Sequence, residues 1–324
     1  MLVHKAILSL SLILAAAACM PAEKPGKRDA PETRGNLASS AGAGPGGSGP
    51  AVVDPDKYHF RYELRDTGPG LKLSRELKEI SALGLSADGT CLLAVNDEEG
   101  KVFFLDKNKG RILGELAFGQ AGDYEGVEMV GLNIYIARSD GTIFEVEHSG
   151  KAKTEATVYA TGLDADYDVE GLAYDQPNRR LLLACKGIAG RGPEFENKRA
   201  VYAFSLDSMR LSGQPAYLLG EDMPVAEEAI REAWWPDVLA GQFAPSGIAV
   251  HPITGHIYIL SSKGKARAVL VLSSAGELLS IRELDKAPFN QPEGICFEPD
   301  GTMYISTEAK GKRGRGRVFR FRML

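Results

Sequence analysis

Tyr124-Glu-Gly-Val-Glu-Met, Val169-Glu-Gly-Leu-Ala-Tyr and Pro292-Glu-Gly-Ile-Cys-Phe repeat one short pattern: a polar residue, a small residue, then an apolar run. Two further stretches, Glu79-Ile-Ser-Ala-Leu-Gly-Leu and Pro245-Ser-Gly-Ile-Ala-Val, keep the order with serine in place of glutamate. With Ser81, Glu125, Glu170, Ser246 and Glu293 aligned, the intervals are 44, 45, 76 and 47 residues. A second β-rich run follows each anchor: Cys91–Asn96, Asn133–Arg138, Arg180–Lys186, His256–Ser262 and Thr302–Glu308. Turn signals at Asp88-Gly89, Thr254-Gly255 and Asp300-Gly301 separate three of these pairs of runs. A third strand comes next, over Lys101–Asp106, Thr142–Glu147, Val201–Leu206, Ala268–Ser273 and Arg317–Arg322, and a less regular fourth leads to the next anchor. Four strands in about 45 residues, repeated, define a β-propeller. A β-sandwich has no reason to repeat an anchor in this way.

The expected fold is therefore all-β, with five four-stranded blades over residues 58–324; a sixth, degenerate blade is the alternative count. The 76-residue interval carries two insertions. One is the Gly- and charge-rich loop 187–199. The other is Asp222–Trp235, read as a short helix with Asp222 as its cap and Trp234-Trp235 at its end. The last repeat stops after its third strand. The run His59-Phe-Arg-Tyr-Glu-Leu is expected to pair beside Arg317–Arg322 and close the ring, leaving no raw edge.

Ahead of the propeller, His4 and Lys5 precede an apolar run, Ala6 to Ala18, too short to span a bilayer. Ala16-Ala17-Ala18 then leads into Cys19, which resembles a bacterial lipoprotein signal. That resemblance implies removal of residues 1–18 and diacylation of Cys19. Residues 19–57 read as a tether: 14 of the 16 residues from Gly35 to Pro50 are Gly, Ala, Ser or Pro. About 38 flexible residues reach roughly 35 Å. The expected location is the bacterial cell envelope, on a membrane through the lipid. A formal charge of −5 and a pI near 5.7 argue against nucleic acid as a partner.

The Asp123-Tyr-Glu-Gly-Val-Glu and Asp168-Val-Glu-Gly-Leu-Ala motifs, with Ser81-Ala-Leu ahead and Pro292-Glu-Gly-Ile behind, resemble the SdiA-regulated family of bacterial envelope proteins. The first and fourth anchors, Ser81-Ala82 and Ser246-Gly247, depart from its Glu-Gly pattern. The resemblance implies a propeller and an envelope location, and carries no settled activity.

In a propeller the inner strand of each blade begins at the channel mouth where the second strand ends. The anchors should converge there with the second-strand ends Asn96, Arg138, Lys186, Ser262 and Glu308. Glu125, Glu170, Glu293 and Glu308 are thus expected around one mouth, with Arg138 and Lys186 among them and Asn96 and Ser246 beside them. The ring reads as a binding mouth for a small polar ligand or an envelope protein. The alternative is a divalent site, Ca²⁺ on Glu125, Glu170 and Glu293, serving a metal-assisted hydrolase of the kind found in lactonase propellers. A closed ion-pair lattice is the structural reading of the same residues. The sequence has no G-x-S-x-G elbow, P-loop or H-E-x-x-H motif, and its five histidines fall away from this mouth.

Overall fold

The computed structural model describes residues 58–65, 67–227, 243–262 and 267–324. The signal segment, Cys19 and the tether lie outside them. Blade 1 consists of β2 (Ile80–Leu85), β3 (Cys91–Asn96), β4 (Lys101–Asp106) and β5 (Ile112–Ala117), preceded in the chain by β1 (Leu71–Lys72). Blade 2 follows with β6 (Tyr124–Val130), β7 (Asn133–Arg138), β8 (Ile143–Glu147) and β9 (Thr157–Tyr159). Blade 3 has β10 (Val169–Asp175), β11 (Arg180–Cys185) and β12 (Arg199–Ser205), with two short outer strands, β13 (Arg210–Leu211) and β14 (Tyr217–Leu219), both on β12. Blade 4 is β15 (Pro245–Val250), β16 (Ile257–Ser261), β17 (Ala268–Leu272) and β18 (Leu278–Glu283). Blade 5 joins β19 (Pro292–Phe297), β20 (Met303–Thr307) and β21 (Arg317–Phe321) to β1. The five-blade propeller holds, and the inner strands β2, β6, β10, β15 and β19 meet in that cyclic order.

Blade interfaces make the core, which explains why inner strands read as continuous apolar runs. On β11, Leu181, Leu183 and Cys185 pack with blade 2, while Leu182 and Ala184 pack with blade 4. Both faces of a blade are covered, so strict alternation would expose nothing useful and is absent. Five clusters of buried side chains result, one between each neighbouring pair of blades.

The ring closes differently from the expectation. The closing strand is Leu71–Lys72, paired with Val318 and Arg317, and not His59–Leu64. Gly68 and Gly70, with φ of 64° and 63°, turn the chain back before this short pairing. His59–Leu64 keeps its alternation but uses it for packing. Tyr62 and Leu64 are buried between blades 4 and 5. The Tyr62 hydroxyl donates to the Gly301 carbonyl at 2.7 Å and lies 2.8 Å from His251 Nε2. His251 Nδ1 accepts from the Ile253 and Thr254 amides, so its proton sits on Nε2 and is given to Tyr62. This latch grips the hairpin turns at the face opposite the mouth.

Among the described residues the helical turns are two 3₁₀ segments, Arg75–Leu77 and Pro193–Phe195. Asp222 does not cap a helix within them. It accepts from Lys198 Nζ at 2.7 Å, and the chain continues through a parallel bridge of Val225 to Leu278. The rest of the expected helix, Trp234-Trp235 included, lies outside the described residues.

Candidate functional site

Each of the five anchors sits at a break in strand register. The pairing of first and second strands shifts between Ile80 and Ala82, Tyr124 and Gly126, Val169 and Leu172, Pro245 and Gly247, and Pro292 and Ile295. A bulge of this kind re-aims a side chain, and here it happens once per blade at the channel end of the inner strand. The small residue after the anchor is required by the neighbouring inner strand. A Cβ on Gly247 would stand 2.3 Å from the Glu293 carbonyl oxygen, and one on Gly294 2.4 Å from the Leu83 nitrogen. Glu-Gly is therefore one residue to project and one to let the next blade approach.

The two serine anchors stitch blades together. Ser81 Oγ donates to the Tyr124 carbonyl at 2.6 Å and Ser246 Oγ to the Pro292 carbonyl at 2.7 Å, each reaching the following blade. Ser246 is buried by this bond and is a structural link. Asn96 is likewise occupied: its Nδ2 donates to the Glu76 carbonyl at 2.9 Å and its Oδ1 accepts from the Glu99 amide at 2.8 Å.

Arg138 does not join the glutamates. Its guanidinium clamps Asp140 in its own turn, at 3.1 and 2.7 Å, and lies over the Phe144 ring. Of the two cations expected in the ring, Lys186 alone is there. Its Nζ donates to Glu170 Oε1 and stands 3.7 Å from Asp168 Oδ2. Asp168 takes a left-handed backbone, φ 50°, and its carbonyl accepts from the Lys186 amide at 2.8 Å.

Glu125, Glu170 and Glu293 are 9%, 7% and 5% exposed. Burial is the first force on each and favours the protonated form. Glu125 is pushed far up, first by burial, then by the Glu170 charge and by Asp123, with Glu293 adding across the mouth. Glu293 is raised well above the carboxylate range by burial, then by Glu170 and Glu308. Glu308 rises to about 7, from burial and then Asp97, Glu79 and Glu170, with Lys78 opposing them. For Glu170 burial again dominates; Lys186 opposes it, and the carboxyl settles at about 7. Burial works against the Lys186 charge, yet Glu170, Asp168 and Glu293 together hold its pKa up.

Two further acids belong to the mouth. Asp97 is raised by burial and then by Glu79 and Glu98, and its Oδ1 is buried with no hydrogen-bond partner. Glu79 accepts from Lys78 at 2.7 Å on the rim. A signal for Glu79 was present: it precedes Ser81 by two, as Asp123 and Asp168 precede their glutamates. Asp97 simply follows Asn96, and no pattern marks it. The acids thus interact across the opening, but among the described residues no group of three or more His, Cys, Asp or Glu side chains is placed to hold a metal ion. The donor set does not fit Ca²⁺ on Glu125, Glu170 and Glu293. A positive charge brought to the mouth would relieve repulsion among several carboxyls at once.

The profile of the SdiA-regulated family matches residues 59–187 and 235–310, skipping the long insertion. The chain belongs to the SdiA-regulated family. No curated protein matches it significantly. Among solved structures, this SdiA-regulated protein is similar to the glutaminyl cyclase of Myxococcus xanthus, at 15% identity and TM-score 0.49, covering 78% of this chain and 93% of that one. It is also similar to a gluconolactonase from Xanthomonas campestris, at 13% identity and TM-score 0.46, over 80% and 83%. The hydrazine synthase of Kuenenia stuttgartiensis matches at 16% identity and TM-score 0.43, over 70% of this chain and only 61% of that one. Identities of this order say nothing about activity.

Proposed function

We propose that this SdiA-regulated protein is an exported envelope lipoprotein, acylated at Cys19, whose propeller captures a cation-bearing polar ligand, or a basic segment of an envelope protein, at its carboxylate mouth. One observation carries the reading: Glu125, Glu170, Glu293 and Glu308 share the opening with two ammonium groups, Lys186 beside Glu170 and Lys78, which acts on Glu308 from the rim while held by Glu79. A lattice built only to hold blades in register would pair its charges, because unpaired buried carboxylates weaken the fold. Blade register is already served by Ser81, Ser246 and the glycine contacts. An arriving ammonium or guanidinium supplies the missing charge. A metal-assisted hydrolase is not favoured, because the acids are not placed as a metal-binding group.

Calorimetry on the purified protein tests this, with hexylamine, Ca²⁺ and Mg²⁺ titrated separately into the wild type and into Glu170→Gln. The reading expects heat from the amine, lost in the variant, and none from either metal. A tight divalent site with no amine binding would replace it with the hydrolase reading. No binding at all, with Glu170→Gln less stable than the wild type, would leave the ring structural.

A further inference from the structure

Beside the acids, the mouth face carries a basic rim. Residues 309–317, the loop that follows Glu308 and enters β21, hold five cations, Lys310, Lys312, Arg313, Arg315 and Arg317, and no acid. Backbone bonds lay this loop along the segment that leads into blade 1. The Ala309 amide donates to the Lys78 carbonyl at 3.0 Å, and the Gly316 carbonyl accepts from the Leu73 amide at 3.0 Å. The Arg315 guanidinium donates to the Leu73 carbonyl at 3.3 Å, and that of Arg317 to the Pro69 carbonyl. Arg75 opens the 3₁₀ turn between the two attachment points, in the same patch. Arg75, Lys310, Lys312 and Arg313 are exposed, and among the described residues none of the four has a carboxylate within ion-pair distance.

The same segment lines a cavity of about 210 Å³: Arg75, Glu76 and Lys78 share it with Glu79, Asn96 and Asp97. Ala309 follows Glu308 and is bonded to Lys78, so this cavity adjoins the acid ring at Glu308. A loop that served only to offset the acids would pair its cations with them. Instead unmatched charges of both signs stand side by side, and each set repels itself. We propose that the mouth and its rim recognise a zwitterion, a short peptide whose ammonium rests among the carboxyls at Glu308, Glu79 and Asp97 and whose carboxylate lies along Arg75 and the loop cations. This rests on the reading of the mouth as a cation site. Lys310 and Arg313 lie two and five residues past Glu308, at most about 7 and 18 Å of extended chain away. The two charges of the ligand then stand about 10 Å apart, the length of an extended tripeptide. A free amine would leave the basic rim unmatched, and a free carboxylate would meet the acids.

The test compares trialanine with trialanine amide, which lacks the carboxylate, and with N-acetyl-trialanine, which lacks the ammonium, by calorimetry on the full protein. A pH of about 7 keeps the free α-amino groups charged, below their range of about 7.7–8.0. Each peptide, and hexylamine, is titrated into the wild type and into Arg75→Gln/Lys310→Gln/Lys312→Gln/Arg313→Gln, with melting curves alongside; Lys312→Gln/Arg313→Gln serves if the fourfold variant does not fold. The wild type should bind trialanine about threefold to fivefold more tightly than its amide, the effect of one solvent-screened ion pair. In the variant the order should reverse, because the carboxylate then meets only acids. Trialanine bound no more tightly than its amide, neither peptide bound where hexylamine is, or an advantage that survives the variant would remove the rim and leave the mouth standing. N-acetyl-trialanine bound as tightly as trialanine would make the rim a separate anion site and overturn the zwitterion. Failure of both hexylamine and trialanine amide to bind the wild type would overturn the mouth reading, and the zwitterion with it.

Discussion

Replacing Gly294 by alanine isolates the packing that lets the mouth exist. The added Cβ would lie 2.4 Å from the Leu83 nitrogen, 2.6 Å from Ser306 Oγ and 2.8 Å from the Ala82 carbonyl carbon. An unstrained contact needs about 3.5 Å, so the inner strands of blades 5 and 1 must part by about 1 Å. Two of the three atoms are backbone and cannot turn aside. The third, Ser306 Oγ, accepts the Gly294 amide at 2.9 Å and would lose that bond. Overpacking of a rigid core costs about 1–3 kcal/mol, and here the upper end applies. Gly114→Ala is the control, since nothing lies within 4 Å of its Cβ position. That change should lie within about 0.5 kcal/mol of the wild type or stabilise slightly. Urea denaturation of both variants gives the comparison. A Gly294→Ala protein as stable as Gly114→Ala would refute the claim that the glycine of each Glu-Gly serves the approach of neighbouring blades.

Three other outcomes are expected. Glu293 keeps its proton in the folded state well above pH 4.5, so the folded chain binds more protons than the unfolded one and stability falls as pH rises from there. Glu293→Gln should be near neutral at pH 4.5 and increasingly stabilising toward pH 8, by up to about 1.4 kcal/mol per pH unit; a flat difference across that range contradicts the repulsive ring. Tyr62→Phe strands the Gly301 carbonyl and the His251 Nε2 proton, and should cost about 1–3 kcal/mol in denaturant; an unchanged midpoint would mean the N-terminal latch holds nothing. Cys19→Ser should accumulate as a larger precursor that takes up no labelled palmitate, and palmitate on that variant would end the lipoprotein proposal.

The sequence carried the blade frame because a propeller repeats its hydrogen-bonded unit. Cys91–Asn96, Asn133–Arg138 and Lys101–Asp106 match their strands residue for residue. Ring closure was not legible, for a physical reason. His59–Leu64 alternates like a strand because Tyr62 and Leu64 face the core, whereas the true closing pair, Leu71–Lys72, is too short to show a period. The anchor column was legible, since the close approach of the next blade calls for a small residue after the anchor each time: Ala82, Gly126, Gly171, Gly247 and Gly294. Arg138 was not: a strand end fixes where the backbone points, but Asp140 two residues on captures the side chain.

On the proposed reading, these buried carboxyls are held short of cations so that a ligand can supply one. With Glu170 and Glu308 near 7, an arriving ammonium should drive protons off the ring. The direct measurement is a titration of hexylamine at pH 7 in two buffers of different ionisation enthalpy. The expected result is a binding heat that changes with the buffer, reporting protons released on binding. A binding heat independent of the buffer, or no binding, would contradict it.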